Sequence, residues 1–139
     1  MTKQNDILSV FDTEASSEAG SWLHLSIPGT DGEPAYADKE REKPLRIKLK
    51  GPDSDTWTSY QRKAMKSQGK KDTRTAKEIA REDAQLMARM TLDIENIPGY
   101  AGSEFNSLVD LYLKYKDIRM QALMYVINRE NFTQKLPND

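Results

Sequence analysis

The chain has no cysteine, a single histidine and no purely apolar run longer than the six residues from Ala122 to Ile127. Each shortage removes a class of chemistry. Without cysteine there are no disulfides, iron–sulfur clusters or thiolate zinc sites, which also fits a reducing compartment. The lone His24 has no companion histidine or cysteine to form a metal site or a triad, so a structural or merely exposed role is expected for it. The apolar run is far too short to cross a bilayer. The start, "MTKQNDILSVFDTEASSEAGS", is not the charged segment plus apolar stretch of a signal peptide. No nucleophile elbow, phosphate-cradling glycine loop or HExxH occurs, and "GYAG" is too slight to be a phosphate motif. The carboxylate pairs Glu82–Asp83 and Asp93–Glu95 lack a partner for acid–base or metal work and read as solvated acids or caps. The expectation is a soluble, non-enzymatic protein without cofactor, metal or membrane association.

Its 139 residues suit one domain with a mobile extension. The net charge of −1 conceals a polarised layout. Residues 1–42 carry net −6, residues 43–77 carry net +8 and the remainder net −3. An acidic head beside a basic middle suggests self-complementarity, within one molecule or between copies. A charge-solvated surface is the plainer reading.

Residues 1–20 hold one apolar cluster, "ILSVF", followed by polar residues, and read as a flexible acidic arm. Period-two alternation in "SWLHLSI" (Ser21 to Ile27) and in "PLRIKLKGP" predicts two strands with one apolar side each. They pair as an antiparallel hairpin over residues 21–51 that must rest on helices to be stable. Asp53 or Ser54 can cap a helix carrying Trp57, Tyr60 and Ala64. A second helix runs from about Thr75 to Leu92 with Ile79, Leu86, Met87 and Met90 on a stripe, and "DIENIPGYAG" follows as a loop. Ser103 can cap a third helix with Phe105, Leu108, Val109 and Tyr112 at i, i+3, i+4, i+7. Asp117 can cap a fourth, with Ile118, Ala122, Tyr125 and Val126 on one stripe and Met120, Leu123, Met124 and Ile127 beside it. The predicted fold is α+β: an N-terminal β-hairpin packed on about four helices, a single domain over 21–132, and a frayed tail over 133–139.

Two stretches remain as candidate sites. Arg62, Lys63, Lys66, Lys70, Lys71 and Arg74, downstream of Trp57 and Tyr60, form an electrostatic contact zone for phosphates or acidic protein segments. The last helix is the other. Its apolar arc is wider than one contact face needs, and methionine suits irregular or varied partners. Core packing between helices is the plain alternative for any single residue there.

In its C-terminal third the chain resembles the small tail assembly chaperones, often described as minor tail proteins, of long-tailed bacteriophages. The resemblance rests on Leu111, Tyr112 and Tyr115, then Ile118-Arg119, Leu123, Val126 and Ile127, then Arg129-Glu130-Asn131-Phe132, with "LDIENI" preceding the loop. The Trp-bearing first strand, the basic second strand and "GPDSDTW" are similar to a subgroup, so the likeness covers about Trp22 to Phe132. Lys116 and Asp117 stand where that family often has Pro-Trp, and Ile94 stands where a Trp is common. The resemblance implies an assembly factor in the host bacterial cytoplasm that coats the tape-measure protein, keeps it soluble and helps recruit tail-tube subunits. Tyr115, Ile118, Met120, Met124, Tyr125 and Phe132 are then the expected contacts to client or self, in a homo-oligomer. The alternative is a small nucleic-acid-binding phage accessory protein using residues 62–77.

Overall fold

The computed structural model describes residues 7–133. Three antiparallel strands, β1 (Ser21–His24), β2 (Arg46–Leu49) and β3 (Thr91–Glu95), form one sheet in the order β1-β2-β3. The α-helices bounded within the described residues are, in chain order, α1 (Thr13–Ala19), α2 (Asp55–Lys66), α3 (Ala76–Met90), α4 (Phe105–Lys114) and α5 (Lys116–Ile127); residues 7–9 are helical ahead of α1, and a 3-10 turn follows α5 at Arg129–Phe132. The mixed α+β class therefore agrees with the sequence. The expected hairpin is instead two-thirds of a sheet, because Asp93, Ile94 and Glu95 pair with β2 rather than forming a loop. Helix α3 passes directly into β3 at Met90–Thr91, with no glycine or proline between them to mark the change.

Alternation sorts the sheet into two faces. Leu23, Ile47 and Ile94 stand in one cross-strand row on the inner face, and Leu49 joins them. Trp22, Lys48 and Asp93 form one outer row and His24, Arg46 and Glu95 the next. On that outer face the Arg46 guanidinium lies 4.6 Å from the Trp22 ring centre and pairs with Glu95 at 2.6 Å. The strand predicted over Ser21 to Ile27 ends at His24. Beyond it, Leu25, Ala35 and Leu45 close a ring of backbone bonds: Leu25 N–H to Leu45 O, Ala35 N–H to Leu25 O, and Leu45 N–H to Ala35 O. His24 takes the structural role expected of it, with Nε2 2.9 Å from the Ala35 carbonyl and its ring edge-on to Tyr36.

Helices α3 and α4 pack against each other, α5 reaches β2, and their apolar residues join those of the inner face of the sheet in one core. Their stripes bury Ala84, Leu86, Met87, Ala88 and Met90 from α3, and Leu108, Val109, Leu111 and Tyr112 from α4. Tyr112 is fully buried, and its hydroxyl bonds to Thr91 Oγ1 at 2.7 Å while the Thr91 hydroxyl donates to Met87 O. Burial pushes the Tyr112 phenol well above its usual range, so it stays a neutral donor. Ser54 caps α2 and Thr75 caps α3. Glu104 rather than Ser103 caps α4, accepting from the Asn106 and Ser107 N–H groups. Asp117 lies inside the first turn of α5, which has no side-chain cap, and accepts from Gln121 Nε2 instead.

Of the predicted flexible arm over 1–20, residues 1–6 lie outside the described residues and Thr13–Ala19 is a docked helix. Ser17 of α1 is fully buried; its hydroxyl accepts from Asp53 N–H and its carbonyl from Gly51 N–H. A Cβ at Gly51 would lie 2.6 Å from both Ser17 Oγ and Phe132 Cγ, so glycine is what lets α1 and the 3-10 turn close over the end of β2. The polar sequence of α1 hides this docking, since its anchors are hydrogen bonds rather than apolar side chains. The frayed tail predicted over 133–139 falls, past Thr133, outside the described residues.

Candidate partner-binding surface

Helix α5 differs from the others in how its apolar residues are distributed. Its inner line, Ala122 and Val126 at i, i+4, is fully buried. Ile118, Leu123 and Tyr125 are half-buried against the core. On the far side Met120, Met124 and Ile127, at i, i+4, i+7, are 43, 60 and 50 % exposed. Tyr115, just before the helix, is also exposed.

Two shallow depressions flank this face. The first, about 410 Å³, is lined by Leu23, Met120, Gln121, Met124, Tyr125 and Asn131. The second, about 460 Å³, lies around Ile27, Pro28, Leu45, Tyr115 and Ile118, with Lys114 and Lys116 at its rim. Gln121 lines both, so the two make one discontinuous groove with a polar divider.

The groove runs along the free edge of β1. The Leu25 N–H points to Leu45, the residue just before β2, so by antiparallel alternation the backbone groups of Trp22, His24 and Ser26 face the other way. Helix α5 meets part of that edge with side chains. Gln121 accepts from Ser26 N–H at 2.8 Å and donates to Ser26 O at 2.8 Å, copying a strand residue. The Tyr125 hydroxyl donates to Trp22 O at 2.9 Å and lies 2.6 Å from Ser21 Oγ. These bonds seat α5 on the sheet edge and turn its methionines outward.

The six expected contact residues therefore divide. Tyr115, Met120 and Met124 are exposed, and Ile118 is half-buried beside the second depression. Tyr125 forms a wall whose hydroxyl is committed to β1. Phe132 is 5 % exposed, with its ring edge-on to Tyr125 and its face against Gly51, and is a packing residue of the single copy. Its place beside Gly51 depends on α1, which the sequence did not reveal. Sequence reasoning missed Leu23, Gln121 and Asn131 as lining residues. Leu23 alternates with the inward set, and nothing in the pattern says that it stands at an uncovered edge.

The basic stretch is solvent-facing throughout, with residues 61–78 all exposed. Arg74 bonds to Asp72 at 2.9 Å and pairs closely with Glu82, and the hydrogen bonds from Arg74 draw the Asp72 carboxyl down to about 2. Lys63 and Lys66 occupy the last turn of α2, where they complement the helix dipole. Trp57 is buried, and the half-exposed Tyr60 lies against it with ring centres 5.4 Å apart, which leaves one partly available stacking ring beside the lysines. Of the two carboxylate pairs, Glu82 is bound to Arg74 and Glu95 to Arg46. Among the described residues, no three His, Asp or Glu side chains are placed to hold a metal ion, and no helix is long and apolar enough to cross a membrane.

Compared with protein-family models, curated proteins and solved structures, the chain matches none.

Proposed function

We propose that this protein is an assembly chaperone that holds an apolar, helix-rich client in the groove between α5 and the edge of β1. The observation that carries the reading is the Met120–Met124–Ile127 face, exposed on a helix whose opposite side is fully buried. Exposed side chains of this size, clustered with Leu23 beside a groove, are what a helix-in-groove contact uses. Two flexible methionines adapt to successive apolar faces of a long client better than branched residues would. The resemblance to phage tail assembly chaperones names that client as the tape-measure protein of a long-tailed phage, with several copies spaced along it and tail-tube subunits recruited to the complex. Under that reading the protein acts in the cytoplasm of the infected bacterium.

The test is coexpression with a tape-measure protein, the client class that the resemblance names. The client is expected in the soluble fraction with the native chaperone and in the pellet with the Met120→Asp/Met124→Asp variant. A client equally soluble with either would sink the reading. The basic zone at Arg62, Lys63, Lys66, Lys70 and Lys71 supports a second reading, nucleic-acid binding, because these cations face solvent. Salt-sensitive DNA binding lost on charge reversal at Lys70 and Lys71 would favour it.

A further inference from the structure

The segment just before α1 is a second exposed apolar feature, and its chemistry is the complement of the groove. Ile7, Leu8 and Phe11 are 51, 65 and 74 % exposed. They stand at i, i+1 and i+4 in a helical turn, Ile7 to Ser9 being helical and Val10 and Phe11 turning out of it, with Val10 N–H bonded to Ile7 O, Phe11 N–H to Leu8 O and Asp12 N–H to Ser9 O. With those three N–H and three C=O groups already paired, the turn offers its large apolar side chains to a partner at a reduced main-chain desolvation cost. Exposed Asp12 and Glu14 follow it directly. The groove carries the opposite sign at its rim. Lys114 and Lys116 are exposed there, neither in an ion pair among the described residues, while the neighbouring Asp117 is held by Gln121.

The root of the segment is fixed. Beyond the Ser17 bonds, Glu18 accepts from Asp55 N–H at 2.7 Å and lies 3.8 Å from Lys50 Nζ, which ties α1 to the end of β2 and the start of α2. With that root held, Leu8 and Phe11 remain open to solvent within their own copy. We infer that the Ile7–Phe11 turn of one copy docks in the α5 groove of a second copy, its acidic flank against Lys114 and Lys116. The contact is head-to-tail: every copy offers one turn and one groove, so copies add in a row or close into a ring. This rests on the groove being the binding surface proposed above, and adds that free chaperone shields its own groove until a client displaces the neighbour's turn.

The absence of cysteine makes the contact easy to trap. Phe11→Cys and Met124→Cys are prepared as separate single variants of the full chain, both at exposed positions, with far-UV circular dichroism confirming the fold and alkylation rates confirming that each thiol is reactive. Under mild oxidation, the equimolar mixture is expected to form disulfide-linked dimer about tenfold faster than either variant alone, because docking raises the local thiol concentration. Added salt is expected to slow the mixed reaction by screening the rim. The double variant is expected to yield linked oligomers. Rapid closure within single chains at high dilution would overturn the proposal in favour of a cis contact. Met124→Cys dimerising as fast as the mixture would replace it with a symmetric contact, and no preferential cross-link would refute it outright. The client coexpression is read separately, so solubilisation without cross-linking removes only the self-docking.

Discussion

Helices α4 and α5 are consecutive, similar in length and both rich in apolar residues, yet they use those residues in opposite ways. Helix α4 concentrates Leu108, Val109, Leu111 and Tyr112 on its core side, all buried, and shows solvent Asn106 and Asp110, while Phe105 at its exposed start lies under the Arg89 guanidinium. Helix α5 buries Ala122 and Val126 and sets large apolar side chains on the opposite side as well. What separates them is position. Helix α4 packs along the length of α3, whereas α5 makes few contacts with either helix, touches β2 and is held by Gln121 and Tyr125 to the edge strand β1. An edge helix has one side to bury; apolar residues on the other side add nothing to the stability of a single copy, which is why they read as binding chemistry.

The sharpest way to break this comparison is truncation in each helix. Leu111→Ala in α4 removes a fully buried side chain and is expected to cost about 2–5 kcal/mol in urea denaturation. Met124→Ala in α5 is expected to cost less than about 0.5–1 kcal/mol, as surface changes do. Similar losses from the two would mean that the outer side of α5 is structural after all. Next in size, Gly51→Ala places a Cβ against Ser17 Oγ and Phe132 Cγ and is expected to lower stability by about 1–3 kcal/mol through overpacking. The same substitution should raise protease cleavage within α1, since that clash sits at its docking point. Smaller again, Tyr112→Phe removes the hydroxyl bonded to Thr91 and is expected to cost about 1 kcal/mol. Thr91 keeps its bond to Met87 O, so no buried donor is stranded.

The smallest expected effect concerns Asp53, which joins the start of α2 to the 3-10 turn after α5 through Arg129 at 2.8 Å. The hydrogen bond from Arg129 holds the Asp53 carboxyl below its ordinary value. A carboxyl depressed in the folded state adds stability that is complete above the unfolded-state value and is lost as pH falls through the folded one. Asp53→Asn is therefore expected to lower stability slightly at neutral pH, by less than about 1 kcal/mol because Arg129 is largely exposed. The native and variant curves should converge in acid. A difference that grew as pH fell would contradict the assignment.

How much of this was legible in the sequence follows from what kind of force holds each part. The inner rows of the sheet and the stripes of α3 and α4 are written in apolar periodicity, and Leu23, Ile47, Leu49, Leu86, Met87, Leu108 and Tyr112 could be read from it. Helix α5 was legible as over-apolar, so Met120 and Met124 stood out. Strand β3 was not, because its five residues follow a helical stripe without a break and do not alternate strictly, too little to announce a change of period. Helix α1 was missed because hydrogen bonds through Ser17 and Glu18 hold it, and serine and glutamate carry no periodic signal. Phe132 was misplaced for the same reason: it fills the space that Gly51 and α1 create. The groove itself depends on β1 being an edge strand, and strand order lies beyond what periodicity encodes.

The five methionines among the described residues offer the most direct measurement, because their exposures differ. Met87 and Met90 are buried in α3, Met120 and Met124 are exposed on α5, and Met65 is 72 % exposed on α2, beside the basic stretch. With methyl-labelled methionine, an apolar helical fragment of the client is titrated into the protein and the methyl resonances are followed by NMR. The predicted result is that the Met120 and Met124 signals shift together and saturably while those of Met65, Met87 and Met90 stay in place. Saturable binding that leaves Met120 and Met124 unmoved, or that moves Met65 alone, would contradict the claim that the outer side of α5 is the surface where a client is held.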